Sequence, residues 1–453
     1  MKGLKTPLQR TIQSVLNVNI FVMAFSIALL NKLYSIKTVE MGILESELSW
    51  LFNVFTLTVS LMCLFFGKLI SPIGSEFTLK LGLLIMAGSF VLNGILLDLV
   101  NDPIITFVPS LVLRMFAGIG KAAFNISYTC IICREFKGAV VFVFAVVEIC
   151  FGLGNIAGKS VGELLYGLGG YYLPLLAVCG FLLVACVLLN HLVLPHQDAV
   201  ESNAISSGQQ ATILALLRRP FIALQVGTVL VTSFTITFLQ MTQTDHLQSL
   251  NLSYFIMTSV LFISTVAYSV SAPCWGYLNL HISSPAVTIC GAALQATALL
   301  LLGSGLFTFI EKSLTLYIFI LTFHGFGNGA ELVATYGAMV RTTTNLGCPD
   351  NISTYGTVSG IWTAAYSFGC FLGPTLGSAI INEIGADCTY MVLLTLHAVT
   401  GIAQVYSWCT QLATYQYELD NSTQYKIYDD RPKVIIDIEK EYVVNNSVKF
   451  INK

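Results

Sequence analysis

Residues 152–160 read GLGNIAGKS. Loosely spaced glycines ending in Gly-Lys-Ser have the outline of a phosphate-binding loop, and reading the stretch one way or the other sets the class of the whole chain. A phosphate loop needs Gly-x-x-x-x-Gly-Lys-Ser/Thr between a strand and a helix, so that free backbone N–H groups cradle the anion. The leading glycine of that pattern is Leu153 here, and the stretch lies inside an apolar run with no strand before it. Within a membrane helix those N–H groups are already used by the helix. What survives is Gly154-x3-Gly158-x3-Gly162, with Gly152 beside it. Glycines four apart share one helix face and let a second backbone approach closely.

Composition agrees with a membrane helix. The 453 residues are 55% hydrophobic and only 10% charged, with a mean hydropathy of +0.77. A soluble domain carries roughly 25% charged residues to solvate its surface, so the chain reads as a polytopic membrane protein with the lipid bilayer as its solvent. A net charge of −2 gives no case for nucleic acid as a partner. The N-terminal stretch MKGLKTPLQRTIQSVL has no cleavage site after a short apolar core, so the first run is expected to be a retained helix. Twelve cysteines are scattered singly, apart from Cys130-x-x-Cys133, and behave as small hydrophobes in such a setting. One such pair without nearby histidines points to no metal. No cofactor and no enzymatic chemistry is indicated.

Runs long enough to span a bilayer, about 20 mostly apolar residues each, lie near 12–31, 48–70, 77–98, 104–132, 138–166, 171–194, 219–242, 252–278, 286–309, 315–343, 354–382 and 388–412. The twelve predicted helices place both termini on one side, with Lys2, Lys5, Arg10, Lys68, Lys80, Arg134, Lys137, Arg218, Arg219 and Arg341 in loops on that side. The opposite loops hold mainly acids, with Lys32, Lys37 and Lys312 as their few bases. Positive charge stays cytoplasmic, so both termini are expected there. A polar interruption at 195–218 divides the chain into bundles at 1–194 and 219–412. FAGIGKAA (116–123) recurs as FHGFGNGA (323–330), Gly67-x-Leu69 as Gly276-x-Leu278, and Gly154, Gly158, Gly162, Gly170 as Gly369, Gly373, Gly377, Gly385. Anchors in the same order at nearly constant offset indicate two six-helix repeats, an architecture of transporters with the substrate site between the halves. Residues 413–453 are polar and tyrosine-rich, and are expected to form a flexible cytoplasmic tail open to trafficking proteins. Its sequons at Asn421 and Asn445 would face the cytoplasm, whereas Asn251 would face outward.

The stretch EICFGLGNIAGKSVGELLYGLGGYYLP (148–174) resembles the fifth-helix antiporter motif of the major facilitator superfamily, in particular that of the vesicular amine and polyamine transporters of the solute carrier 18 family. VSGIWTAAYSFGCFLGPTLGSAI (358–380), with Gly369, Gly373, Pro374 and Gly377, is similar to the matching eleventh helix, and RMFAGIG (114–120) to the fourth-helix motif. The resemblance implies an all-α major facilitator fold working by alternating access, with proton-coupled antiport of a polyamine or amine across a vesicular or plasma membrane. Departures are specific. The motif's proline is Lys159 and its second glycine is Glu163. Ser71 and Pro72 stand where most of the superfamily places an acid after helix two. Helix one offers Asn19 rather than a carboxylate, and helix seven offers Gln240 where this branch tends to carry Asp.

Ionisable groups inside membrane helices are costly and tend to be functional or paired. Glu148 is the leading proton carrier, and a static ion pair with Lys121 on the neighbouring helix is its alternative. Arg114 lies about one turn nearer the outer side, as a clamp on a carbonyl or carboxylate or as part of the cavity wall. Lys159 and Glu163, at i and i+4, are expected to satisfy each other. His324, Asn328 and Glu331 fall on one face of helix ten, either as a proton relay or cation site or as a hydrogen-bonded stripe. Tyr336, Trp362 and Tyr366 offer cation–π walls or ordinary packing. An organic-anion or neutral-solute carrier using Arg114 and Lys121 is the alternative within transport, and a non-transporting receptor or sensor the alternative outside it.

Overall fold

A computed structural model describes residues 7–42, 45–100, 102–170, 212–248, 254–303 and 313–428, with 173–174, 186–187 and 190–191 between. The described residues build helices and no strands. They are α1 (Pro7–Glu40), α2 (Glu45–Ile73), α3 (Ser75–Leu99), α4 (Pro103–Glu135), α5 (Val140–Gly169), α6 (Ile213–Leu217), α7 (Pro220–Gln248), α8 (Tyr254–Leu261), α9 (Ile263–His281), α10 (Ser284–Leu302), α11 (Leu314–Asn345), α12 (Ile352–Ile384) and α13 (Ala386–Tyr428). Tight turns join the helices on the face rich in basic residues. Gly74 between α2 and α3 and Gly138 between α4 and α5 take φ of 90° and 82°, which a Cβ would strain. Asn351 caps α12 by accepting from the Thr354 N–H at 3.0 Å.

Nine of the described helices are long and apolar enough to cross a membrane: α1 to α5, α7, α10, α12 and α13. At 32 residues α11 has the length, but HGFGNGAE lowers its hydropathy. The eighth predicted span is divided at Phe262 between α8 and α9. Leu61, Phe65, Leu92, Val399 and Ile402 are exposed apolar side chains, as a lipid-facing surface requires. Polar side chains within α7 find backbone partners one turn back: Thr228 donates to the Leu224 carbonyl at 3.0 Å and Ser233 to the Val229 carbonyl at 2.8 Å.

The glycine face of α5 lies against α1. A Cβ on Gly154 would meet the Phe21 carbonyl and Ala24, one on Gly158 the Phe25 carbonyl and Ala28, and one on Gly162 the Leu29 side chain at 3.1 Å. In the second half α12 repeats this against α7, with Gly369 on Ser233 and Leu230, Gly373 on Thr237 and Gly377 on Phe238, and Pro374 within the helix. In lipid no hydrophobic drive brings helices together, so this close dispersion contact does the work. Gly152 faces elsewhere, onto Ser269 of α9 in the other half.

Three expectations are corrected. Lys32 and Lys37, placed in a loop, lie on α1, whose helix continues to Glu40. The segment from 413, read as a flexible tail, continues as helix to Tyr428. Lys159 does not pair with Glu163. Glu163 Oε2 lies 3.9 Å from Lys32 Nζ on α1, while the Lys159 ammonium sits 5.9 Å from the Phe262 ring. Most of the sixth run, residues 195–211 of the linker, Asn251 and Asn445 fall outside the described residues.

Candidate functional site

Glu148 lies where the halves meet. α5 packs against α9, and Tyr268 of α9 donates its hydroxyl proton to Glu148 Oε2 at 2.6 Å. The residue as a whole is 9% exposed. The alternative, an ion pair with Lys121, is not formed. Lys121, on α4, sits over the Phe55 ring at 5.4 Å and reaches Glu148 only through the field, alongside Cys63 and Cys370. Tyr128 of α4 and Tyr366 of α12 also lie within electrostatic reach of the carboxylate. The centre is therefore one acid bonded to a phenol of the other half, with the one base held apart from it.

Towards the basic face the halves close tightly. Phe144 of α5 stacks on Tyr336 of α11 at 4.6 Å, and both meet Trp362 of α12 edge-on at 5.5 and 5.6 Å. Tyr366 stacks on Trp362 at 5.8 Å and remains half-buried, whereas Tyr336 is fully enclosed. The Tyr336 hydroxyl is bonded to Ser359 at 3.0 Å and to the Cys133 thiol at 3.2 Å. Trp362 donates Nε1–H to Thr335 at 3.2 Å. Of the three aromatics proposed as cavity walls, Tyr336 and Trp362 thus belong to this plug. Beyond it, Gly67 of α2 touches Gly356 and Gly360 of α12, and Gly276 of α9 touches Val141 and Ala145 of α5. At the surface, Lys137 of the α4–α5 turn is 2.7 Å from Asp350 of the α11–α12 turn, and Tyr355 donates to the other carboxylate oxygen. Burial opposes the Asp350 charge, but the hydrogen bonds from Lys137 and Tyr355 and the Lys137 ammonium outweigh it and hold the carboxyl below its ordinary range.

The helix-ten stripe separates into two networks. His324 Nδ1 meets Gln295 Oε1 at 2.7 Å, His324 Nε2 meets Asn328 at 3.1 Å, and Gln295 bonds Asn328 in turn. Glu331 turns instead to α7 and α13. Thr232 donates to its Oε2 at 2.5 Å, and His397 Nδ1 lies 3.3 Å from its Oε1. Both side chains are fully buried. The Thr235 hydroxyl lies 3.0 Å from His397 Nε2 and 2.9 Å from the Val231 carbonyl.

The other candidates are spread. Arg114 is buried; its Nη1 donates to Asn31 Oδ1 at 2.8 Å, and its guanidinium lies over Tyr34 and Phe52 at 4.8 and 5.2 Å. It clamps a side-chain amide of α1. Asn19 is buried against Asn190, at 2.7 Å. Gln240 is exposed on α7 and joins none of these groups. Sequence reasoning missed Tyr268 and His397. A phenol in an apolar run gives no signal, but a histidine inside the twelfth run did give one, since an intramembrane ionisable group is a site candidate by default.

Comparison with known proteins places this arrangement. The model of the Major Facilitator Superfamily matches residues 16–248 and again 226–415. The rat MFS-type transporter SLC18B1 is 28% identical over 372 residues, covering 81% of this chain and 80% of the relative. Its mouse counterpart is 28% identical over 84% of this chain and 83% of its own, and the human one 26% identical over 80% and 78%. The crystal structure of the human organic anion transporter MFSD10 (TETRAN) shares the fold, with a TM-score of 0.65 at 16% identity, over 88% of this chain and all of that one. With two halves meeting at Glu148 and a family match across both, the chain belongs to the major facilitator superfamily and is a membrane transporter similar to SLC18B1.

Proposed function

We propose that the chain exchanges a small organic cation, a polyamine or amine, for protons by alternating access, the bundles at 1–194 and 219–412 rocking about the site between them. The observation that carries this reading is the Tyr268–Glu148 hydrogen bond. The acceptor belongs to one half and the donor to the other, so rocking must break the bond or remake it. A carboxylate that loses its donor in one arrangement binds a proton or a cation there more readily than in the other, and that difference is what coupling requires. Tyr128, Tyr268 and Tyr366 give an organic cation aromatic faces beside the charge. The amine class follows from the resemblance of the 148–174 stretch. A vesicular or plasma membrane with cytoplasmic termini, and trafficking proteins at the C-terminal segment, complete the reading.

The test is uptake into proteoliposomes with an acidic lumen. Labelled spermidine should accumulate, the accumulation should collapse with a protonophore, and Glu148→Gln should abolish proton-driven uptake. Normal coupling in that variant would end the carrier assignment. Movement of an anion alone, or of nothing while the C-terminal segment captures partners, would favour the anion-carrier or receptor alternatives.

A further inference from the structure

A second polar feature lies away from the Glu148 centre, wholly within the first half. Ala28, Asn31, Lys32 and Ser35 of α1, Phe52 of α2 and Lys159 of α5 line a cavity of about 350 Å³. Its polar groups are unusually one-sided. Lys32 of α1 and Lys159 of α5 bring two like charges to the lining of one cavity. Lys159 has no carboxylate within ion-pair distance among the described residues. Lys32 has Glu163 at 3.9 Å, beyond direct hydrogen-bond reach. Arg114 Nη1 donates to the Asn31 side-chain oxygen at 2.8 Å, so what the Asn31 amide can offer a ligand is its NH₂. Ser35 donates to the Asn31 backbone carbonyl at 3.0 Å. Two ammonium groups and an amide NH₂ are donors, and a concave site offering donors and positive charge selects an anion. Phe52 and Ala28 add an apolar wall.

We propose that this cavity binds a small amphipathic organic anion. Its carboxylate lies between Lys32 and Lys159 and accepts from the Asn31 amide, and its hydrocarbon part lies on Phe52. Glu163 is the internal competitor and keeps Lys32 engaged when the cavity is empty. The site explains why a lysine stands where the fifth-helix motif has proline: position 159 supplies a ligand-facing charge. It is independent of the cation reading, because none of its residues touches Glu148 or Tyr268.

The experiment is saturation binding of labelled phthalate to the purified full chain in nanodiscs of phosphatidylcholine alone. Saturable binding is expected, weakened about tenfold or more by Lys159→Gln and by Lys32→Gln, and largely retained by Lys159→Arg. Glu163→Gln should tighten it by freeing Lys32. Each variant is first checked for monodispersity and an unchanged melting curve. Binding that ignores both lysine substitutions, or no saturable binding up to about 10 mM, overturns the proposal. Nanodiscs with added phosphatidylserine separate the sources of anion. If the lipid abolishes phthalate binding and copurifies only with the wild-type lysines, the occupant is a lipid headgroup and the solute assignment is wrong. Spermidine uptake measured in the same variants reads the cation proposal separately.

Discussion

Replacing Gly67 with alanine should loosen the seal at the basic face. A Cβ built there lies 2.7 Å from the Gly356 carbonyl oxygen and 3.3 Å from the Gly360 Cα, while ordinary contact begins near 3.4 Å. Both neighbours are backbone and both residues are glycines, so no side chain can turn away, and α2 and α12 must separate locally by about 0.7 Å. Overpacking of this kind costs about 1–3 kcal/mol. The penalty applies only where the two halves touch, because the methyl meets nothing once they part. The equilibrium should therefore move about 5- to 150-fold towards the arrangement open at the basic face. Cys133 reports on it, since the thiol is buried in the same interface and bonded to Tyr336. In a background with the other cysteines replaced by serine, a membrane-impermeant maleimide added from the basic side should label Cys133 faster by that factor. Folded Gly67→Ala protein that labels at the parental rate would show that the α2–α12 contact does not close this face.

The Lys137–Asp350 latch is more modest. Its side chains are 58% and 49% exposed, so Asp350→Asn should raise Cys133 labelling by no more than the few-fold that ~0.2–1 kcal/mol allows. The native Asp350 carboxyl titrates below its ordinary value of 3.8; the latch is complete above that value and is lost only as pH falls through the lower native one. Its contribution should thus be flat from pH 5 to 8, and a labelling difference between parent and variant that changes over that range would count against the assignment. Tyr268→Phe removes one bond to a charged acceptor, worth about 1.5–3 kcal/mol, and should shift the pH at half-maximal uptake without stopping substrate exchange; an unshifted profile would detach Tyr268 from coupling. His397→Ala removes one of the two side-chain partners of the buried Glu331 carboxyl, at about 1–3 kcal/mol, and should lower the melting temperature in detergent clearly more than the Glu331→Gln, His397→Gln double variant does. Equal losses in the two would mean that the His397–Glu331 contact contributes nothing.

Much of the fold was legible because lipid imposes a coarse rule: length and apolarity mark a span, basic loops mark one side, and offset glycines mark the repeat. The same rule conceals what α11 and Lys159 do. The polar HGFGNGAE face drops α11 below the hydropathy of its neighbours, although it is a long, buried helix. For Lys159 and Glu163, i, i+4 spacing suggested a pair, yet α1 brings Lys32 closer to the acid than the helix's own lysine. Spacing along one helix cannot anticipate a neighbour from another.

What the sequence by itself determined was the solvent, the repeat and the glycine face of α5, because each depends on local composition or on periodicity along one helix. The chain order also named Glu148 as the acid to test. Only the tertiary structure decided its partner. Lys121, adjacent in the hairpin, turned towards Phe55, and Tyr268, 120 residues away, took the carboxylate. It likewise drew Glu331 away from His324 to His397, and set Lys32 and Lys159 around one cavity. Those choices depend on which helix faces cross, and crossing is settled by packing between helices far apart in the chain.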